Sequence, residues 1–196
     1  MEKTKTMYEV IWHGRGGQGV VVASQILAES AYLQGFKGVT SAPTFGPERR
    51  GAPLTASTRI SHEPIRTFAQ IEFADVAVVL DASLLKTVNI VGSVKEGGLI
   101  IINTPLKADQ VEIDGSRRVA AVDAVAIALR HHLIKEGAPI VNTPLLGSFS
   151  VASKIVSLEF LERGLKGKLT GGSAEANISA LRDAYAATSL RVLYDG

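Results

Sequence analysis

Cysteine is absent from the 196 residues, so the chain can hold no disulfide, no thiolate nucleophile and no cysteine-ligated iron–sulfur cluster. Were its work redox, other chains would carry the electrons. Aromatic residues are scarce, at 6%. Together with 19 glycines, that scarcity points to the tight turns and small-residue packing of layered α/β folds, and away from a disordered or fibrous chain. Neither sign of charge dominates. With 21 basic and 19 acidic side chains the formal net charge is +2, too little for a global field that recruits nucleic acid or an anionic membrane. Any role for arginine is therefore local. Long apolar runs are missing too: none reaches the roughly 18 residues that cross a bilayer, and Met1-Glu2-Lys3-Thr4-Lys5-Thr6 is no apolar signal region. The expectation is a soluble cytoplasmic protein without nucleic-acid or membrane partners. A hydrophobic content of 46% over this length suits one core, read as one domain over residues 1–196.

What the chain does have is a glycine-rich turn where an apolar strand gives way to a helix. Tyr8-Glu9-Val10-Ile11-Trp12 is followed by His13-Gly14-Arg15-Gly16-Gly17-Gln18-Gly19 and then by Val20-Val21-Val22-Ala23. A turn free of Cβ atoms at a helix start exposes main-chain N–H groups and the positive dipole end, a setting for phosphate or pyrophosphate. Arg15 adds a charge and a planar donor fork. Gly14, Gly16 and Gly19 satisfy G-x-G-x-x-G. A dinucleotide site also needs a carboxylate about 20 residues on, for the ribose hydroxyls. Here that zone reads Lys37-Gly38-Val39-Thr40-Ser41, which disfavours a nicotinamide or flavin dinucleotide and suits a ligand bearing a further phosphate. The bland alternative is that the glycines only let strand and helix pack closely. No Gly-Lys-Ser/Thr closes the loop as a Walker motif requires.

Val20 to Gln34 is apolar nearly all round and predicts a helix buried between a sheet and another element, ended by Gly35. Strands are expected over 36–41 and 54–61, with Ile65-Arg66 continuing the local β structure. Between them, Ala42-Pro43-Thr44-Phe45-Gly46-Pro47-Glu48-Arg49-Arg50-Gly51-Ala52-Pro53 is too rich in proline and glycine for helix or ladder, and reads as a loop carrying two arginines. Val76 to Leu80 and Leu99 to Asn103 are continuously apolar and β-branched, as central strands of a parallel sheet are. A helix over 81–91 would join them as a β-α-β crossover. Two short strands flank Asp114-Gly115, Asp123 caps a helix over 124–133, and Thr143-Pro144 opens another. A short helix restarts at Ser157. After Gly171-Gly172, Ser173 caps a last helix that turns Ile178, Leu181 and Tyr185 inward. The fold class is α/β: three layers, α/β/α, around a largely parallel, mixed central sheet with a glycine-rich strand-to-helix turn.

His13-Gly14-Arg15-Gly16-Gly17-Gln18-Gly19-Val20 together with Phe45-Gly46-Pro47-Glu48-Arg49-Arg50-Gly51-Ala52-Pro53 resembles the gamma subunit, or gamma domain, of the 2-oxoacid:ferredoxin oxidoreductases, of which pyruvate:ferredoxin oxidoreductase is a member. The resemblance runs the length of the chain through Ile60-Ser61, Pro64-Ile65-Arg66, Asp75-Val76, Val79-Leu80-Asp81 and Leu146-Gly147. It implies a complex that decarboxylates a 2-oxoacid on thiamine diphosphate with Mg, passes electrons through iron–sulfur clusters to ferredoxin or another acceptor, and gives the acyl group to coenzyme A. Those cofactors would sit on alpha, beta and ferredoxin-like delta partner subunits. This chain would contribute to coenzyme A binding and subunit packing, without a catalytic residue of its own. Carried over by position, Gly14, Gly16, Gly17 and Gly19 would offer backbone donors to the phosphates, with Arg15 and Gln18 adding side-chain contacts. Arg49 and Arg50 would pair with phosphate or anchor a partner chain.

Two other readings stand beside this one: a purely structural subunit whose turn receives a partner loop, and a free-standing nucleotide-binding α/β protein. Asp81, at the end of a buried strand, fits a ligand-facing group or a helix N-cap. His131 and His132 are neighbours on a helix, about 100° apart, and make poor metal co-ligands. His62 reads as a surface turn residue, and His13 as one that orients the backbone of the turn. No serine-histidine-aspartate set or metal-ligand cluster is patterned in the chain.

Overall fold

The two β-branched runs set the centre of the molecule. In the computed structural model, which describes residues 6–43, 51–67, 69–113, 116–169 and 171–191, they are neighbouring parallel strands: β4 (Ala74–Val79), buried along its whole length, and β5 (Val94–Asn103). Around them lie β1 (Met7–Arg15), β2 (Gly38–Pro43), β3 (Pro53–Ser61), β6 (Arg118–Val122) and β9 (Ser189–Arg191), in the order β2-β3-β1-β4-β5-β6-β9. β1, β4, β5 and β6 are parallel, whereas β3 runs antiparallel to β1 and β9 antiparallel to β6. The sheet is mixed with a parallel centre, as expected. A short hairpin of β7 (Ile134–Lys135) and β8 (Ala138–Pro139) stands apart from it.

Alternation along each strand separates two apolar layers. On one face Val10, Trp12, Val76, Val78, Leu99 and Ile101 meet helix α1 (Val20–Gln34) and helix α3 (Asn142–Ser153). Helix α4 (Leu158–Lys168) lies over α1, and helix α5 (Gly171–Ala187) over α3, so α3 is covered on both sides and nearly every residue of it is buried. α2 (Ala124–Arg130) joins the same layer. Gly147 lets α5 approach α3: a Cβ there would overlap the Leu181 carbonyl. Trp12 pins this face, its indole Nε1 donating to Thr58 Oγ1 at 3.1 Å while that hydroxyl donates to the Ser24 carbonyl at 3.2 Å. A buried indole N–H left without such a partner would cost about 1–3 kcal/mol.

The other face, Ala77, Val79, Ile100 and Ile102, is covered by Leu84, Ile90, Ala108 and Val111. Here the structure corrects the expectation of a helix over 81–91. The segment forms two 3₁₀ stretches, Ala82–Lys86 and Val91–Ser93, because Asp81 and Asn89 turn their side chains back on local amides: Asp81 accepts from Ser83 N and Asn89 from Gly92 N. Such side-chain bonds compete with the α-helical ladder. Residues 111–113 are likewise not a strand, nor are Ile65 and Arg66, and the Asp114-Gly115 turn lies outside the described residues. Helix α2 stops at Arg130, short of Leu133. Val141, not Thr143, occupies the N-cap of α3, and α5 begins at Gly171 ahead of Ser173. Tyr185 is 38% exposed, its inward place taken by Ala184.

Candidate functional site

β1 does not end where the glycines begin. Gly14 and Arg15 still pair with Leu54 and Pro53 of β3, and Gly16 continues the link through its N–H to the Ala52 carbonyl at 3.0 Å and its own carbonyl to Gly51 N at 3.3 Å. Within the turn, Gln18 N donates to the Arg15 carbonyl and Gln18 Oε1 accepts from Arg15 N at 2.8 Å. The Gly16 amide, expected to face outward, is therefore satisfied inside the protein, as are the amides of Arg15 and Gln18. What the turn leaves open lies one step further along. Gly19, at φ 79, is the N-cap of α1, with no side-chain cap and no acidic residue in the first turn. Ala23 N is the first amide to find a helical carbonyl, and among the described residues the N–H groups of Val20, Val21 and Val22 have no acceptor. The positive end of a 15-residue helix is thus unopposed.

The N-terminus of α3 closes against it. Asn142 Nδ2 donates to the Gly19 carbonyl at 3.3 Å, and a Cβ on Gly19 would stand 2.5 Å from that nitrogen. The position requires glycine for its backbone and for its neighbour. Gly14 answers to the bland reading instead: a Cβ there would lie 2.5 Å from Val20 Cγ2, so its role is close packing of strand and helix. Behind Asn142, Thr143 Oγ1 donates to Asn177 Oδ1 at 2.7 Å and Asn177 Nδ2 to the Ser173 carbonyl at 2.8 Å, which ties α3 to α5.

These groups border a cleft of about 1290 Å³ across the carboxyl ends of β1, β4 and β5, lined also by Val22, Leu84, Val88, Lys135 and Lys168. β1 sends its chain toward β2 and β3 on one side, while β4 lies on the other. That divergence is the switch point at which open α/β sheets take ligands. Lys168 forms an ion pair with Glu29 at 3.4 Å.

Arg15 points away from α1. Its Nε donates to Asp81 Oδ2 at 2.7 Å, Nη2 to Ser83 Oγ at 3.0 Å and Nη1 to the Gly51 carbonyl at 3.0 Å. Asp81 caps the 3₁₀ turn, its Oδ1 accepting from Ser83 N and Ser83 Oγ. Partial burial pushes its carboxyl up, but the hydrogen bonds from Ser83 and Arg15 and the Arg15 charge outweigh that and hold it below its usual value. His13 stands opposite Val79, 5% exposed, and its Nε2 is buried with no partner among the described residues. Burial alone lowers its pKa from 6.5 to about 4, so the ring is neutral near pH 7.

Of the residues singled out in the sequence, Gly16, Gly17, Gln18 and Gly19 line the cleft together, Arg15 is held to one side, and Arg49 and Arg50 lie outside the described residues. His62 is exposed and packs on Phe36, and His131 Nε2 meets Asp183 Oδ2 at 2.8 Å. Among the described residues no three histidine, aspartate or glutamate side chains group as a metal site, and no helix is long and apolar enough to cross a membrane. Asn142, Thr143 and Asn177 were not read as site residues. The signal for Asn142 and Thr143 is an Asn-Thr-Pro helix start, which does not say what that start will face, and Asn177, inside α5, has none.

A family model described as pyruvate ferredoxin/flavodoxin oxidoreductase matches residues 9–187. The chain belongs to that family. It is 44% identical over 187 residues to the pyruvate/ketoisovalerate oxidoreductases common subunit gamma of Pyrococcus abyssi, covering 94% of this chain and 98% of that one. With pyruvate synthase subunit PorC of Methanocaldococcus jannaschii it shares 41% identity over 91% of this chain and 96% of the other. The crystal structure of the pyruvate oxidoreductase subunit PORC from Thermotoga maritima superposes with a TM-score of 0.81 at 35% identity, over 95% of this chain and 99% of that one. The protein is accordingly a gamma-type subunit of a multi-subunit 2-oxoacid oxidoreductase, and the α/β architecture is that of the PORC subunit.

Proposed function

We propose that this gamma subunit supplies part of the coenzyme A site of its complex, while thiamine diphosphate, Mg and the iron–sulfur clusters reside on alpha, beta and ferredoxin-like delta partners. The observation that carries the reading is the uncapped first turn of α1, opening into the switch-point cleft. Its main-chain donors, with those of Gly17 and Gly19, suit the phosphates of coenzyme A. Lys135 stands at the cleft lining for further anionic charge, and Val22, Leu84 and Val88 offer apolar wall to the pantetheine arm. Arg49 and Arg50 would pair with phosphate or anchor a partner chain. The division of cofactors agrees with the side chains present: the chain has no cysteine for a cluster. The acid is chosen on the partner chains, and pyruvate or a branched-chain acid such as ketoisovalerate, as the names of the relatives print, would meet this subunit only as its acyl group leaves. In cells the complex would work in the cytoplasm.

Hydrogen exchange of the assembled complex tests the reading. Coenzyme A should slow exchange over residues 17–22 and 141–143. Protection that appears on assembly alone, with no further change when coenzyme A is added, would mean that the turn receives a partner segment, and the ligand reading would fall.

A further inference from the structure

We propose that Arg15 is a positioning residue: it locks the glycine turn, the start of β3 and the turn after β4 into one rigid edge of the coenzyme A site, without itself meeting the phosphates. The inference rests on the reading of that site given above.

Three of the five guanidinium N–H groups are already used, each on a different partner: Asp81 Oδ2, Ser83 Oγ and the Gly51 carbonyl. Two of these acceptors are 66 and 68 residues away in the chain, in one turn, and the third 36, so the fork joins its own segment to two others. Its carboxylate partner is fixed in turn, with Ser83 N and Ser83 Oγ both on Asp81 Oδ1, at 3.0 and 2.6 Å. Ser83 therefore holds both halves of the pair, and Arg15 cannot swing toward α1 without breaking a closed set of hydrogen bonds. The need for such a brace follows from the backbone. Gly16 is joined to Gly51 by one main-chain bond, from Gly51 N to the Gly16 carbonyl, and to Ala52 by another, from Gly16 N to the Ala52 carbonyl, and glycines lose more freedom on ordering than any other residue. A side chain gripping Gly51 from the residue next to Gly16 removes that freedom before a ligand arrives, the general route by which preorganisation raises affinity. An Arg reaching for phosphate would be expected to carry its charge free, and this one is neutralised by Asp81 at 2.7 Å.

The assembled complex distinguishes the two roles. Arg15→Gln and Asp81→Asn should each raise the KM for coenzyme A about tenfold with kcat little changed, the loss of roughly one charge-assisted hydrogen bond of order. The double variant should be no worse than the worse single one, because both break the same brace. Arg15→Lys should fail to rescue, since an ammonium cannot reproduce a three-way fork. Without any coenzyme A, the amides of Gly16 and Gly51 should exchange faster in both variants, and Ser83→Ala, which keeps both charges, should shift exchange and KM the same way by less. A role in direct phosphate contact predicts the opposite pattern: Asp81→Asn leaves KM unchanged or lowers it, Arg15→Lys rescues, and exchange in the ligand-free complex does not move. Any of those three results overturns the proposal. The ligand-free exchange reads the brace alone, so failure of the coenzyme A reading would show separately, as unprotected α1 amides in the wild-type complex.

Discussion

At the amino ends of the parallel strands, Glu9, Arg59, Asp75 and Lys95 pair with one another: Arg59 Nε to Glu9 at 3.1 Å, Lys95 Nζ to Glu9 at 3.2 Å and to Asp75 at 2.9 Å, with Asp75 also accepting from Glu9 N at 2.8 Å. At the carboxyl ends, charge is spent on holding loops, and main-chain donors and His13 Nε2 are left without a partner among the described residues. Both ends are built on the same strands. One end is closed by its own ion pairs, and the other leaves polar groups without a partner among the described residues. A polar group buried without a partner costs stability.

The sharpest way to break this contrast is to open the closed end. Asp75→Ala leaves Lys95 and the Glu9 amide short of an acceptor beside a nearly buried Arg59, and should cost about 3–5 kcal/mol in urea unfolding. A loss under about 1 kcal/mol would mean that the network is ornamental. Next comes His13. Its pKa is lowered on folding, so the unfolded chain takes up a proton near pH 6.5 that the folded chain refuses until about pH 4. This contribution is fully present above pH 6.5 and is lost as pH falls through that window, with a total on the order of 3 kcal/mol. Denaturation midpoints of wild type and His13→Leu should converge in slope above pH 6.5 and diverge below it. Parallel curves would show the ring protonating freely in the folded state.

The open end has its own brace in Asn103, whose Nδ2 donates to the Leu80 carbonyl at 2.9 Å and whose Oδ1 accepts from Ala124 N at 3.0 Å. Asn103→Ala should cost about 1–2 kcal/mol and raise exchange at Ala124, without touching the amino end. The smallest effect belongs to neither end. Arg182 and Glu162 form a two-point ion pair on the surface, at 2.6 and 2.8 Å. Arg182→Ala should leave the unfolding midpoint where it is, because solvent screens such pairs; a clear drop would show that surface charge, not burial, governs the contrast between the ends.

Much of this arrangement could be read from the residues in order. β4 and β5 announce themselves because strands buried on both faces need no alternation, only an unbroken apolar run. α1 follows from the glycine turn and the apolar stretch after it. Other parts depend on partners distant in sequence. β9 has three residues, too few for any period, and exists because β6 offers an edge and Arg191 reaches the carbonyls of Val111 and Ile113. Apolar spacing predicts a helix over 81–91 where two 3₁₀ stretches stand, because it does not register the competing bonds of Asp81 and Asn89. In the site, the glycines are legible, but which amides stay open is not: that is decided by the Ala52 carbonyl across the sheet and by the Gln18 side chain folding back on Arg15 N, while Asn142, 123 residues away, takes the Gly19 carbonyl. Arg15 looked like a ligand contact for the same reason, since its acceptors sit far along the chain.

The walls of the cleft come from stretches around residues 17, 54, 84, 140 and 173, nearly the full span of the polypeptide. A small molecule lodged there would clasp all of them at once, and at a concentration one hundred times its Kd would add about 2.7 kcal/mol to the work of unfolding. A thermal-shift titration reads that gain directly. Were coenzyme A that molecule, as proposed above, the subunit would be most open to proteases when coenzyme A runs short, and its abundance would follow the supply.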